Sequence, residues 1–199
     1  SEFYDNQATT TSEADGGGAI SSEGEVFVSN SSFERNISGR EGGAIYAESN
    51  VVIENNSTFT SNTSDDDGGA VYTRTGSIES TDSEFKLNEA TGIITADGNE
   101  SRGGALYASA SDITVDNSKF DSNVTTDEGG AIQAGGDITV RNQSVFTNNQ
   151  SSANDGGAVY AEGDLSVSNS TFISNTADID GGAVASEASA NGTKSTFTD

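Results

Sequence analysis

Acidic residues stand directly before many of the double glycines of this chain. If the chain repeats in space, these carboxylates form one column, in which neighbouring charges repel by roughly 0.9 kcal/mol in water. Calcium bound through carboxylate and carbonyl oxygens would relieve the repulsion, whereas a solvated edge screened by salt is the alternative interpretation. The chain has no EF-hand loop and no Gly-Gly-x-Gly-x-Asp nonapeptide. The candidate calcium ligands are Glu41, Asp67, Glu128, Asp155 and Asp180.

One interval between double glycines is longer than the others. It runs from Gly68 to Gly103, and its surplus over the next interval predicts an inserted loop at about residues 89–102. Insertions in repeat proteins map to loops on one face, often the binding face, and a tolerated insertion without function is the alternative. The candidate binding residues, which combine a small apolar tip with acids, are Ile93, Ile94, Asp97, Asn99 and Glu100.

Four of the five tyrosines occupy one position of the repeat, with Gln133 interrupting the series. Because side chains alternate along a strand, this position is predicted to lie on the outer face. Such an aromatic strip could stack sugars or pack against a partner, whereas a stabilising ladder of rings is the alternative. The tyrosines are Tyr46, Tyr72, Tyr107 and Tyr160.

Asn-x-Ser/Thr sequons recur along the chain, as expected of a glycosylated secreted protein. Most of these asparagines belong to repeat positions, where an inward amide could not carry a glycan. Asn99, in the inserted loop, is the best acceptor. The other candidates are Asn36, Asn62, Asn123 and Asn149.

Composition excludes several classes of function. The 199 residues contain no Cys and no His, so disulfides, Cys/His zinc sites and Ser-His-Asp triads are absent. A net charge of −24 disfavours nucleic acid as a partner. No apolar run has the length that a membrane-spanning helix needs, so direct membrane insertion is not expected. The carboxylates follow the repeat rather than one irregular site, and we therefore predict no enzymatic activity.

The elements that must position these residues are set by the repeat itself. Gly-Gly-Ala followed by Ile, Val or Leu occurs seven times, and a phenylalanine follows each copy at an almost constant distance. An asparagine stands three positions after most of these phenylalanines. An apolar-x-apolar-x-Asn/Asp stretch lies between the two motifs, and both asparagine positions are expected to form amide ladders. The first glycines are Gly17, Gly42, Gly68, Gly103, Gly129, Gly156 and Gly181, and the predicted core column is Phe33, Phe59, Phe85, Phe120, Phe146 and Phe172.

Three short alternating stretches in each repeat predict three strands per winding. A unit this polar cannot bury its own apolar face, so each strand must pair with its copy in the next winding. The sequence therefore predicts an all-β fold, a right-handed parallel β-helix of about seven windings, as a single unit over residues 1–199. The chain begins and stops inside a Ser-x-Phe strand, so open ends able to add strands are expected.

The two motifs resemble the repeat of the polymorphic membrane proteins of chlamydiae. Examples are Gly-Gly-Ala at Gly42 to Ala44 and Phe-x-x-Asn at Phe59 to Asn62. The resemblance spans essentially the whole chain and implies the β-helical part of an autotransported surface adhesin. The chain departs from that pattern in having no cysteine, and no membrane-anchoring barrel segment is expected within it.

The expected function is that of an extracellular, non-catalytic adhesive or structural rod at the cell surface. Its expected partner is a protein or glycan on a host or neighbouring cell. A self-assembling filament subunit that associates through its open ends is the alternative, and a polysaccharide-active β-helix enzyme is the third class. No cofactor is expected, with calcium as the candidate exception.

Overall fold

The backbone winds into a stack in which every strand pairs in parallel with its copy one winding away. The structure is a computed structural model, which describes residues 1–9, 16–92 and 101–199. The strands form four sheets that run along the stack. The all-β fold and the stack of about seven windings are therefore confirmed. None of the described residues belongs to an apolar helix of membrane-spanning length.

We name the four sheets by their residues. The phenylalanine sheet contains Glu2–Tyr4, Ser32–Glu34, Thr58–Thr60, Glu84–Lys86, Lys119–Asp121, Val145–Thr147, Thr171–Ile173 and Thr196–Thr198. The short sheet contains Gln7–Ala8, Ile37–Ser38, Thr63–Ser64, Glu89–Ala90, Val124–Thr125 and Gln150–Ser151. The tyrosine sheet contains Ile20–Ser22, Ile45–Ala47, Val71–Thr73, Leu106–Ala108, Ile132–Ala134, Val159–Ala161 and Val184–Ser186. The valine sheet contains Val26–Ser29, Val51–Glu54, Ile78–Thr81, Ile113–Asp116, Ile138–Arg141, Leu165–Ser168 and Ala190–Thr193.

The prediction of three strands per winding omitted the short sheet. Its strands have two residues each, for example Ile37–Ser38, and follow directly after the asparagine of Phe-x-x-Asn. A two-residue strand is too short to show alternation, so the sequence pattern gives no signal for it.

The phenylalanines form one continuous stack along the axis of the protein. All eight rings, from Phe3 to Phe197, lie over one another with centroid separations of 4.5–4.9 Å and interplanar angles of at most 10°. The six predicted core rings from Phe33 to Phe172 are at most 1% exposed. The separation equals the spacing of paired strands, so the windings themselves set the ring stacking.

Asparagine side chains form a second ladder beside the rings. Asn123 is representative: its Nδ2 donates to Asn149 Oδ1 at 2.9 Å and to the carbonyl of Phe85 at 3.1 Å. Its Oδ1 accepts hydrogen bonds from the backbone N–H and the Nδ2 of Asn88, both at 3.0 Å. The amide of this buried side chain is thus satisfied at both its oxygen and its nitrogen.

The two glycines of Gly-Gly-Ala have different structural roles. Gly68 has φ +61°, a left-handed conformation that favours glycine. A Cβ on Gly69 would lie 2.1 Å from the carbonyl oxygen of Gly104 in the next winding. The first glycine therefore makes the turn, and the second allows the windings to approach closely.

The second asparagine position, after the apolar-x-apolar stretch, forms one link of the expected ladder, from Asn117 Nδ2 to Asp82 Oδ1, but no continuous ladder within the described residues. These residues have φ values of +44° to +58° and lie at the corner between the valine and phenylalanine sheets. Asn and Asp tolerate this conformation better than other non-glycine residues, which explains the residue type at the corner. The corner residues are Asn30, Asn55, Asp82, Asn117, Asn142 and Asn169.

Candidate functional site

The long interval adds chain without disturbing the core. Phe85 and Phe120, which lie on either side of it, are 4.7 Å apart, and Asn88 and Asn123 are directly hydrogen bonded. Glu89–Ala90 is a regular strand, and the Arg102 carbonyl accepts the Gly68 N–H at 2.8 Å. The inserted stretch is therefore narrower than the expected 89–102. The candidate binding residues Ile93, Ile94, Asp97, Asn99 and Glu100 lie outside the described residues.

Arg102, which follows the undescribed segment closely, is surrounded by acids. Its Nε lies 3.7 Å from Asp127 Oδ2 and 3.7 Å from Glu128 Oε2. Its backbone N–H donates to Asp67 Oδ1 at 2.9 Å. The acidic column thus contains one cation, Arg102, next to the inserted stretch. Its attraction to Asp127 and Glu128 offsets part of the repulsion expected between the carboxylates of the column.

Asp67 is the most strongly perturbed acid at this position. Burial raises the pKa of its carboxyl well above the usual value, and the nearby Asp66 carboxylate raises it further. The positive charge of Arg102 acts in the opposite direction. A buried carboxyl that holds its proton more tightly than an exposed one is typical both of structural ion-pair networks and of functional sites.

The rest of the acidic column is divided among separate partners. Glu41 pairs with Arg40 at 3.0 Å, and Asp155 Oδ1 accepts the Asp180 N–H at 2.8 Å. Within the part of the chain that the structure describes, no three acidic side chains converge closely enough to hold a metal. Calcium binding by Glu41, Asp67, Glu128, Asp155 and Asp180 stays a prediction.

The tyrosine column is buried rather than exposed, which corrects the expectation of an accessible strip. Tyr46, Tyr72 and Tyr107 are 3%, 7% and 5% exposed, and their ring centroids are 5.5 and 5.6 Å apart. Burial also raises the pKa of Tyr72 to about 12. The faces of these rings are occupied by one another and by neighbouring residues, so they cannot stack sugars. Tyr160 is likewise buried, and Gln133 fills the gap in the column.

Four of the glycosylation candidates are inaccessible in the folded protein. Asn36, Asn62, Asn123 and Asn149 belong to the amide ladder and are fully buried. A glycan on any of them would displace a ladder hydrogen bond and a core contact, which corrects their status as acceptors. Asn99 lies outside the described residues.

Sequence reasoning missed the acids one position before the column. Asp66 and Asp127 are 9% and 5% exposed and lie beside Asp67 and Glu128. The signal for them is the doubled acid in Asp-Asp-Gly-Gly and Asp-Glu-Gly-Gly, which places two carboxyl groups on one turn. These two turns lie in the windings directly before and after Arg102.

Two protein families match parts of this chain. The family model of the Chlamydia polymorphic membrane protein repeat matches residues 30–48, 50–74, 143–162 and 169–187. The model of the haemagglutinin repeat matches residues 88–118, a range that includes the inserted stretch. No curated protein and no solved structure shows significant similarity to the chain.

Proposed function

Because the chain carries repeats of the Chlamydia polymorphic membrane protein type and a haemagglutinin repeat, we propose that it is the adhesive rod of an extracellular cell-surface protein. The rod is non-catalytic in this proposal. Its role is to hold a binding surface away from the cell that carries it. Its partner is a protein or glycan on a host or neighbouring cell.

The observation that carries the proposal is the continuity of the core across the insertion. The Phe85–Phe120 separation of 4.7 Å equals that of Phe120–Phe146, where the interval has no insertion. A solenoid that accepts extra chain at one winding without a change in its core is suited to present that chain to a partner. The haemagglutinin-repeat match covers residues 88–118 and so includes the insertion, which supports this winding as the binding region.

Charge supports an extracellular display role. The net charge of −24 favours solubility of an extended rod and disfavours association with anionic membrane surfaces. The partner surface at the insertion is therefore neutral or cationic in this proposal. The Arg102 cluster fixes the described end of the inserted stretch to the acids of the adjacent windings.

Deletion of residues 92–100 tests the proposal, because it makes the interval from Gly68 to Gly103 equal to that from Gly103 to Gly129. We expect the deleted chain to keep its circular dichroism spectrum and melting temperature and to lose most of its binding to cultured epithelial cells. The control is the Phe27→Ser variant of the full chain, because Phe27 is an exposed residue of the valine sheet. This variant should bind the cells normally. Unchanged cell binding after the deletion, or degradation of a polysaccharide by the purified chain, would contradict the proposal.

A further inference from the structure

A groove runs along the corner between the valine and phenylalanine sheets. Three cavities of about 310, 330 and 360 Å³ lie on this corner. The first two share Asn56 and Thr58. The second and third meet where Lys119 pairs with Val145 in adjacent windings. The three cavities therefore follow one another along the same corner, and we call this line of cavities the corner groove.

The groove offers side-chain amides that have no partner within the protein. The side chains of Asn56, Gln143 and Asn169 are exposed and form no hydrogen bond within the described residues. Each has a positive φ of +47° to +68°, so the backbone holds each at the rim of the corner. The buried asparagine ladder, in contrast, has its amide atoms bonded. The free amides at the corner are available as donors and acceptors to a ligand.

Hydroxyl groups line the opposite wall of the groove. Thr58 and Thr171, the first residues of their phenylalanine-sheet strands, both face it. Its centre carries Asp82 and the pair Glu84 and Lys119, whose opposite charges lie in adjacent windings, and its two ends carry Glu2 and Lys194. Most of the lining is therefore uncharged and able both to donate and to accept hydrogen bonds.

The backbone along the groove excludes strand addition by a peptide. The N–H groups of Thr58, Glu84 and Lys119 already donate to carbonyls of the preceding winding at 2.8–3.0 Å. Among the described residues, the lining also offers no apolar pocket for the side chains of an extended peptide. These two features distinguish the groove from the usual sites of peptide recognition, which use free strand edges or apolar pockets.

From these observations we propose that the corner groove binds an extended neutral glycan. The ligand lies along the stack, and its hydroxyl groups exchange hydrogen bonds with the amides of Asn56, Gln143 and Asn169. The net charge of −24 selects against sulfated and uronate chains. This site is distinct from the inserted stretch, and the proposal rests on the adhesive function proposed above only in that the glycan belongs to a cell surface.

The test uses the full chain with all three groove amides replaced, as Asn56→Gly, Gln143→Gly and Asn169→Gly. Glycine suits a positive φ, so these changes remove the amides without backbone strain. The matched control replaces Ser61, Ser122 and Ser174 with Gly, because these residues have φ values of +52° to +56° at the other end of the phenylalanine strands. Binding is measured to an array of neutral glucose, mannose and N-acetylglucosamine oligosaccharides, with sulfated oligosaccharides beside them.

We expect the original chain and the serine control to bind at least one neutral series, and the groove variant to bind it about tenfold more weakly or less. Equal binding by the groove variant, preference for sulfated chains, or no binding to any neutral oligosaccharide would overturn the proposal. The same three proteins are then applied to cultured cells. Cell binding without neutral-glycan binding would refute the groove alone, whereas glycan binding without cell binding would refute only the adhesive function.

Discussion

Two columns of asparagine run along this protein, and they serve different purposes. The buried column, which includes Asn88 and Asn123, satisfies its amide atoms within the core. The corner column, which includes Asn117 and Asn169, provides a left-handed turn at the surface. The period is the same in both columns, and asparagine is the residue type in both apart from Asp82 in the corner column. The difference teaches that in a solenoid the path of the backbone, rather than the side chain, decides whether a repeated residue becomes a ladder or a corner.

The strongest test of this comparison is Asn123→Ala beside Asn117→Ala. Loss of the Asn123 amide removes four buried hydrogen bonds, so we expect the free energy of unfolding to fall by about 4 kcal/mol. Asn117→Ala should lower it by about 1 kcal/mol, because alanine is strained at the φ of +44°. Urea denaturation measures both. Equal losses would show that the two columns have the same role.

Glycine at the same two positions should separate the columns further. Asn117→Gly is expected to leave the free energy of unfolding within about 0.5 kcal/mol, because glycine adopts a positive φ without strain. Asn123→Gly should be at least as destabilising as Asn123→Ala, since the buried bonds are lost in either case. A destabilising Asn117→Gly would mean that its amide, which donates to Asp82, matters more than its φ.

A third polar column, the acidic one, extends the comparison to charged groups. Asp67 accepts the Arg102 N–H as the ladder asparagines accept backbone N–H groups, but burial raises the pKa of its carboxyl. The folded pKa lies above the ordinary value of 3.8, so the stabilising contribution of Asp67 is complete below pH 3.8 and is lost as the pH rises through the folded pKa.

Asp67→Asn keeps the acceptor and removes the charge. We therefore expect it to stabilise the protein at pH 7 by on the order of 1 kcal/mol, with the gain shrinking as the pH falls toward 3.8. Asp155→Asn is the control, because Asp155 accepts the Asp180 N–H through an exposed hydrogen bond, whereas the bond from the Arg102 N–H to Asp67 is partly buried. Melting temperatures of both variants between pH 3 and pH 8 measure the effect. A destabilised Asp67→Asn at pH 7 would show that the charge pairs productively with Arg102.

Glycosylation is expected to have the smallest effect on stability. It should distinguish the corner column from the buried ladder, because only exposed asparagines can receive a glycan. Sequons at Asn55 and Asn142 lie at exposed corners, whereas those at Asn62 and Asn123 lie in the buried ladder. After expression in a glycosylating host, peptide mass mapping should find glycans at the corner positions and none in the ladder, with little change in melting temperature. A glycan at Asn123 in folded protein would contradict the buried ladder.

Much of this fold follows from the spacing of residues. The fixed interval between Gly-Gly-Ala and Phe predicts the parallel stack, and Phe33 and Asn36 take the positions that their spacing implies. The corner asparagines and the tyrosines were harder to predict. Asn117 and Asn123 both recur once per winding, and they differ in backbone conformation, because only Asn117 has a positive φ. Tyr72 faces away from the main core, and alternation gives no sign that neighbouring residues cover that face.

The most direct test of the stacked windings uses cysteine pairs in a chain that has no cysteine of its own. Lys86 and Asp121 are distant in sequence and directly paired across two windings. Their Cα atoms should lie about 5 Å apart, which permits a disulfide, whereas those of Lys86 and Lys119 should lie about 8 Å apart. Under mild oxidation, Lys86→Cys with Asp121→Cys should form the intramolecular disulfide rapidly, and Lys86→Cys with Lys119→Cys should not. Equal rates for the two pairs, or no disulfide in the paired variant, would contradict the stacking of successive windings in this register.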